Sequence, residues 1–332
     1  MNAVVRSLPL LILSIAGLVS VQNTRAQSVA TNPVGYNMFS LPAGDSILVN
    51  TFVQATAFQG TASAVTNASN SVITLSSTSG SAGTITSGTF NETGAEPSYY
   101  VEILSSGSAQ GLIVDVLSNT ATTITVDANL VAFGVTATTS FCVRPHTTLS
   151  SLFPVATSGL AAYADYVVLY FPNNANPTIF NYTGTGDGWV NANEGGTDAG
   201  SQIIYPGQGF ILYVQNAKTV PVVGYVKPGP TQVPLYAGSI NLVGTLNPVL
   251  SGTQTLSNYA FPACLAPYAD YVVPYSSNGL LQAAGLYQSS GTNMISASGN
   301  ADTVPVSAPN SVYVYVYQNK NWVMPSFYTS GN

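Results

Sequence analysis

Charged side chains are scarce in this chain. Lys and Arg number 6, Asp and Glu number 12, and the charged share is 5%, whereas ordinary soluble domains contain about 25%. Nucleic-acid binding is excluded, because it requires clustered Lys and Arg to displace counterions from phosphates. Since few groups titrate, we also expect the stability of the fold to vary little with pH.

Histidine and recognisable catalytic spacings are equally sparse. The one histidine, His146, follows Arg144 and Pro145 with no carboxylate or nucleophile at the spacing of a triad. We therefore expect a surface or strand-end histidine rather than a catalytic base. A zinc site would need this histidine and both cysteines to converge on one ion. The sequence predicts neither an enzyme nor a bound cofactor.

The two cysteines, Cys142 and Cys264, leave two alternatives open. An even pair in an exported chain can form one disulfide, which would tie the first half of the chain to the second. Alternatively, each is buried as a small apolar residue. Spacing alone does not decide between them.

The N-terminal 26 residues have the pattern of a signal peptide. Arg6 precedes an apolar stretch at 8–21, and small residues stand at a cleavage site before Gln27. The stretch is shorter than the roughly 20 residues that a membrane span needs. We expect a protein secreted to the extracellular space or cell surface, with no membrane span in the mature chain. Loss of Arg6 and Arg25 leaves four basic residues against twelve acidic ones.

Strand signals dominate the mature sequence. Short β-branched and aromatic runs, such as 210–214 (FILYV) and 312–317 (VYVYVY), are bounded by Gly, Pro, Asn and Ser. No mature segment sustains a helical period over three turns. The sequence predicts an all-β fold of sandwich-like or barrel-like modules.

Part of the chain is duplicated. The run 162–168 (AYADYVV) recurs as 267–273 (PYADYVV), TLS at 148–150 answers TLS at 255–257, and QN at 215–216 answers QN at 318–319. Upstream, 43–49 (AGDSILV) resembles 237–243 (AGSINLV), the opening strand of each copy. Self-similarity of this length indicates two copies of one β module.

The first copy has a long interruption with strand patterns of its own. We predict a third, small β domain inserted into copy one. The predicted boundaries are 1–26 for the signal peptide, 27–57 and 147–227 for copy one, 58–146 for the inserted domain and 228–332 for copy two.

Five short motifs form a set: NPVGY at 32–36, AFQGT at 57–61, YYVEI at 99–103, SNTATT at 118–123 and TLSSLFP at 148–154. Together they resemble an uncharacterised family of secreted β-rich proteins found chiefly in verrucomicrobial bacteria. The resemblance covers most of the mature chain. It implies export and surface-type proteins present in multiple copies, and it implies no activity and no binding residues. It also implies a tryptophan-bearing turn in both halves, where this chain has Trp189 in the first and Met294 in the second.

Two acidic features have structural and functional interpretations. Asp165 and Asp270 occupy equivalent positions in the repeat, and we expect them to accept backbone N–H bonds at the turn into each Val-Val strand rather than to form a catalytic pair. The segment 184–198 concentrates oxygen ligands with glycine, but lacks the spacing of a helix-flanked calcium loop. We expect a long hairpin turn there, with calcium as the weaker alternative.

The run 312–317 alternates valine with Tyr313, Tyr315 and Tyr317, so valines should face the core and tyrosines the opposite side. The tyrosines have three interpretations: they stack on sugar rings, pack under a neighbouring subunit, or are covered within their own domain. Val34, Tyr36 and Phe39, near the mature N-terminus, are further candidate interface residues. Segments 28–39 and 322–328 are candidate strand donors to another copy.

The sequence thus predicts an extracellular structural protein whose partners are other copies of itself. Its subunits would assemble into a fibre or surface layer, by β-strand addition between them. The alternative is a cell-surface carbohydrate-binding or adhesin module that recognises polysaccharide through its aromatic side chains.

Overall fold

The computed structural model describes residues 34–77, 85–92, 96–172, 174, 176–247, 255–275, 285–300 and 310–326. Within them, β-branched and aromatic runs form short strands and the helices are single turns. The all-β prediction is confirmed. The predicted signal peptide lies outside the described residues. In the described part of the chain, no helix combines the length and apolar character that crossing a membrane requires.

The elements of the first half are β1 (Val34–Leu41), β2 (Gly44–Val49), β3 (Phe58–Val65), β4 (Val72–Leu75), β5 (Tyr99–Ile103), β6 (Ile113–Asn119), β7 (Thr123–Val126), the 3-10 helix η1 (Leu130–Phe133), β8 (Ser140–Pro145), β9 (Thr147–Thr148), α1 (Leu149–Leu152) and β10 (Tyr166–Leu169). Those of the second half are β11 (Thr178–Tyr182), β12 (Trp189–Asn191), η2 (Ala192–Glu194), β13 (Thr197–Asp198), β14 (Ile203–Ile204), β15 (Gly209–Val214), β16 (Lys218–Tyr225), β17 (Thr231–Leu235), β18 (Asn241–Gly244), η3 (Leu256–Tyr259), α2 (Phe261–Cys264), β19 (Tyr271–Pro274), β20 (Tyr287–Ser289), β21 (Met294–Ser296), β22 (Ser311–Tyr315) and β23 (Lys320–Met324).

A closed barrel interrupts the first module. Its strands follow the order β3-β4-β7-β6-β5-β8, and pairing of β3 with β8 closes it. Register shifts between Ala62 and Ala64 in β3 and between Val116 and Ser118 in β6 mark irregularities that bend the sheet. The barrel lies between β2 and β9 of module one and has its own apolar core.

The two modules share a five-strand order, to which module one adds β13 at one edge. Module one forms a sheet β13-β12-β11-β10-β15-β2 and a two-stranded ribbon β1-β16. Module two forms a sheet β21-β20-β19-β22-β18 and a ribbon β17-β23. Tyr166 pairs with Tyr213 in the first sheet, as Tyr271 pairs with Tyr315 in the second. Each module encloses a separate apolar core.

The repeat also fixes the position of two buried carboxylates. Asp165 accepts the N–H groups of Ala161 at 2.7 Å and Gln215 at 2.9 Å. Asp270 accepts those of Ala266 at 2.7 Å and Tyr317 at 2.8 Å. Their predicted role as turn-fixing acceptors is confirmed. Because Gln215 and Tyr317 make the same bond, the sequence match of Gln215 with Gln318 is one residue out of register.

The modules meet about an approximate two-fold axis. Leu48 in β2 forms an isolated antiparallel bridge with Asn310, and Val243 in β18 forms one with Gln208. In the strand registers of the two modules, Leu48 is equivalent to Val243 and Gln208 is equivalent to Asn310. The two bridges therefore join the same pair of positions, with the modules interchanged. Such an exchange of equivalent contacts is the geometry of an isologous dimer. The sequence match of 43–49 with 237–243 is likewise one residue out.

Candidate functional site

The strand at 312–317 has the predicted alternation. Val312, Val314 and Val316 are buried, Tyr313 and Tyr315 are half-buried, and Tyr317 is 72% exposed. The ring of Tyr315 stacks on that of Tyr271, with centroids 4.7 Å apart and planes at 12°. We call the outer side of β19 and β22, with Tyr271, Tyr313, Tyr315 and Tyr317, the tyrosine face.

Module one repeats the central stack of this face. Tyr166 and Tyr213 stack with centroids 4.6 Å apart and planes at 7°. Burial, followed by the charge of Asp45, raises the pKa of Tyr166. Both sheets therefore carry a stacked cross-strand pair of tyrosines.

The ribbon of β1 and β16 has an apolar outer face. Val34, Tyr36 and Met38 on β1 and Val223 on β16 are exposed, and Tyr36 is opposite Val223 in the register. We call these four residues the ribbon face. Phe39 does not belong to it: its side chain is 0% exposed in the core of module one. The prediction that Phe39 is an interface residue is wrong, because the strand alternation turns it inward.

The two predicted strand donors, 28–39 and 322–328, are not free to pair with another copy over the residues that the structure describes. Residues 34–39 pair along their whole length with β16, and the remainder of that donor, 28–33, lies outside the described residues. Trp322 to Met324 pair with β17, and Trp322 is buried. Residues 327 and 328 also lie outside the described part. The donor assignments are corrected because both strands already have partners in their own ribbons.

The equivalent ribbon of module two contacts the barrel. Gln232, at the position of Met38, donates Nε2 hydrogen bonds to the carbonyls of Ser108 at 2.7 Å and Gln110 at 3.0 Å. Its backbone N–H donates to Gly111. A Cβ on Gly111 would lie 2.4 Å from the Pro230 carbonyl oxygen, so only glycine permits this close approach. The outer side of one ribbon is therefore polar and partnered, and that of the other is apolar and open in the described structure.

All four basic side chains after residue 26 form ion pairs with three buried carboxylates. Arg144 Nε lies 3.0 Å and Lys227 Nζ 2.7 Å from the oxygens of Glu102. Lys218 pairs with Asp165, and Lys320 Nζ lies 3.4 Å from Asp270. Glu96 and Asp115 are half-buried, and the other carboxylates of the described part are exposed: Asp45, Glu92, Asp127, Asp187, Glu194 and Asp198. The accessible charge of these residues is therefore negative.

A cleft of about 420 Å³ opens where the barrel and the two modules meet. Its aromatic walls come from Tyr170 and Tyr205 with Phe171 of module one and from Tyr236 of module two. The barrel supplies Asp115 and Asp127. The loops and strand ends that form it come from three distant parts of the chain.

His146 lies beneath this cleft. Tyr205 donates its hydroxyl to Asp115 Oδ2 at 2.8 Å, and its ring is edge-on to the imidazole. His146 Nε2 lies 3.1 Å from Asp115 Oδ1, but the angle is not that of a hydrogen bond, and both imidazole nitrogens are buried without one. His146 lies between β8 and β9, as the strand-end alternative predicted, but its side chain is buried beside a carboxylate, so the surface alternative is wrong. Burial, and then Asp115, raises the pKa of Tyr205.

Known proteins supply no function by similarity. No protein-family model, curated protein or solved structure matches the chain. The chemistry of the ribbon face, the tyrosine face and the cleft is therefore the basis for the function proposed below.

The cysteines are free thiols in different parts of the fold. Cys142 is buried in barrel strand β8, with its thiol 3.5 Å from Glu102 Oε2. Cys264 ends α2 in module two, with its thiol 3.7 Å from the Asn321 carbonyl. The disulfide interpretation is corrected, since both thiols are free and each has its neighbours in a different part of the fold. The alternative of two buried small residues holds for Cys142, whereas Cys264 is half-buried.

The glycine- and oxygen-rich segment 184–198 folds as turns around β12, η2 and β13, as the hairpin interpretation predicted. Trp189 in β12 is buried, and so is Met294 at its counterpart in β21. Among the described residues, no three His, Cys, Asp or Glu side chains are grouped as a metal site requires.

Two tyrosines inside the repeated motif lie on the surface, and the sequence pattern did not predict their exposure. Tyr163 and Tyr268 have φ angles of 58° and 59°. They are 80% and 66% exposed. A bulky residue in the left-handed region is strained, and the repetition of that strain in both modules could have been found only from the backbone.

Proposed function

We propose that the protein is an exported structural subunit that assembles with copies of itself. The observation that carries this proposal is the ribbon face, where Val34, Tyr36, Met38 and Val223 project from paired strands without a charged neighbour in register. Contiguous exposed apolar side chains on a soluble protein mark interaction surfaces. Export remains the expectation drawn from the N-terminal sequence.

The comparison of the two ribbons supports a protein partner. At the position of Met38, module two has Gln232, which is bonded to the barrel loop. A ribbon whose outer side is covered thus carries a polar, hydrogen-bonding residue there. The ribbon without such a cover carries a methionine, whose flexible thioether adapts to apolar partners.

Charge favours a second copy as that partner. Two copies repel each other through their exposed carboxylates, and repulsion is smallest where a face carries no charge. The ribbon face and the tyrosine face are both of this kind, and they belong to different modules. Contact between the ribbon face of one copy and the tyrosine face of the next would be head-to-tail, which propagates into a filament.

The test compares two exposed tyrosines. Tyr36→Asn should abolish or weaken assembly of the purified mature protein, measured by size-exclusion chromatography and negative-stain electron microscopy. Tyr268→Asn is the matched control, because Tyr268 is similarly exposed (66% against 63%) and lies outside both faces. Asparagine also tolerates its positive φ.

Filaments in the wild type and the Tyr268 variant, with monomers in the Tyr36 variant, would support the proposal. A monomeric wild type at high concentration would overturn it. Assembly that both variants retain would exclude the ribbon face as the contact. A thermal melt of each variant identifies any loss that is due to unfolding.

A second candidate function is a carbohydrate-binding or adhesin module. The stacks Tyr166–Tyr213 and Tyr271–Tyr315 favour it, because flat aromatic rings with hydroxyl groups pack against sugar rings. This candidate predicts that monomeric protein is retained on an insoluble polysaccharide. Tyr315→Ser should then release it, whereas Tyr36→Asn should not.

A further inference from the structure

We infer that the cleft between the barrel and the two modules is a binding site for a small organic cation, held by its ammonium group. None of the residues that line this site belongs to the ribbon face or the tyrosine face, which carry the assembly proposal. Its volume of about 420 Å³ lies within the range of small-molecule sites.

The walls of the cleft are aromatic. Tyr170, Phe171, Tyr205 and Tyr236 line it from two modules. The face of an aromatic ring is negative and attracts ammonium groups, most strongly where water is partly excluded. Tyr170, Phe171 and Tyr236 are half-buried and Tyr205 is 37% exposed, so water is partly excluded from the rings.

The charges around the cleft have one sign. Asp115 and Asp127 line it. Arg144, Lys227, Lys218 and Lys320 are held by Glu102, Asp165 and Asp270 elsewhere. His146 is the remaining basic group at the site, and it lies beneath Asp115. An anionic ligand is therefore disfavoured and a cationic one attracted.

Several hydrogen-bond donors of the lining are already used. The Tyr205 hydroxyl donates to Asp115, and the amides of Gln232 and Asn241 donate to carbonyl groups. Asp127, in contrast, is an exposed carboxylate, and a carboxylate accepts hydrogen bonds only. An ammonium group is positively charged, so it complements the negative charge of Asp127 whether or not it carries N–H groups.

Isothermal titration with choline tests the inference, and its neutral isostere 3,3-dimethylbutan-1-ol is the matched ligand. We expect saturable choline binding that is about tenfold tighter than binding of the isostere, in line with a cation–aromatic contact. Asp127→Asn should weaken choline binding by about tenfold, while Asp198→Asn, an exposed carboxylate outside the cleft, should leave it unchanged.

Tyr205→Leu adds a second variant that removes a ring without changing the net charge. It should weaken choline binding in a protein whose melting temperature confirms folding. No saturable choline binding, or equal binding of choline and the neutral isostere, would overturn the inference. The titrations are also run on the Tyr36→Asn protein. Choline binding is then measured with and without assembly, so that the two proposals are tested separately.

Discussion

Val49 occupies the space in front of Gly244. A Cβ on Gly244 would lie 2.6 Å from Val49 Cγ1, and the two residues hold equivalent positions in the repeat. Across the same interface, a Cβ on Gly209 would lie 2.7 Å from the Ser311 hydroxyl oxygen. Equivalent residues that face each other in this way lie near the two-fold axis, where the modules approach most closely.

Gly244→Ala should therefore destabilise the protein by about 1 to 3 kcal/mol, because the added methyl group overpacks the interface. Chemical denaturation measures the change. Val49→Ala removes the opposing methyl groups, so the double variant should recover part of the loss as a coupling energy between the two sites. Additive effects of the two substitutions would show that the modules do not pack here as described.

The buried group around Glu102 predicts acid sensitivity. Burial raises the pKa of Glu102, but the charges of Lys227 and Arg144 and their hydrogen bonds outweigh it, so its pKa is lowered overall. Such a carboxylate stabilises the fold above its unfolded pKa of about 4.3, and the stabilisation is lost as pH falls through the lower folded value. We expect stability to hold down to about pH 5 and to decline below about pH 4. This prediction replaces the expectation of little pH dependence.

Thermal melts of Glu102→Gln across the same pH range isolate this contribution. The variant should lose about 3 kcal/mol or more near neutral pH, because Arg144 and Lys227 are left buried without a carboxylate. Its stability should then fall less steeply in acid than that of the wild type. The exposed Glu194→Gln is the control and should follow the wild-type curve. An unchanged acid slope in Glu102→Gln would contradict the assignment.

The thiols should be unreactive in the folded protein. Burial, and then the charge of Glu102, raises the pKa of Cys142 to about 12, and burial raises that of Cys264 to about 11. A thiol reagent at about pH 8 meets almost no thiolate at either site. We expect the reagent to detect almost no reactive thiol in the native protein. After denaturation without a reducing agent it should detect two thiols per chain. No reactive thiol after denaturation would instead indicate the disulfide.

The duplication and the strand-rich fold could be predicted because they depend on local patterns. The AYADYVV and PYADYVV runs fixed the equivalence of Asp165 and Asp270, whose hydrogen bonds repeat in both modules. The residue-by-residue alignment of the two copies was harder to predict. Matching letters placed Gln215 against Gln318, whereas the backbone bond to the aspartate places it against Tyr317.

Packing across the fold was not predictable from one sequence. Phe153 contacts Trp189 of β12 in module one, but its counterpart Phe261 stacks on Trp322 of β23 in module two. The tryptophan thus comes from a different strand in each copy. The cleft was missed for a related reason, since Asp115, Tyr205 and Tyr236 meet only after three parts of the chain have folded.

The pairing of every basic side chain after residue 26 with a buried carboxylate has a consequence for proteolysis. Trypsin cuts after lysine and arginine unless proline follows. Beyond the N-terminal segment these residues are Arg144, Lys218, Lys227 and Lys320, and Pro145 and Pro228 block cleavage after two of them. Each is fastened to Glu102, Asp165 or Asp270, with Arg144 and Lys227 fully enclosed. The folded chain thus leaves trypsin only the bonds after Lys218 and Lys320, and both of these side chains are half-buried in ion pairs with Asp165 and Asp270.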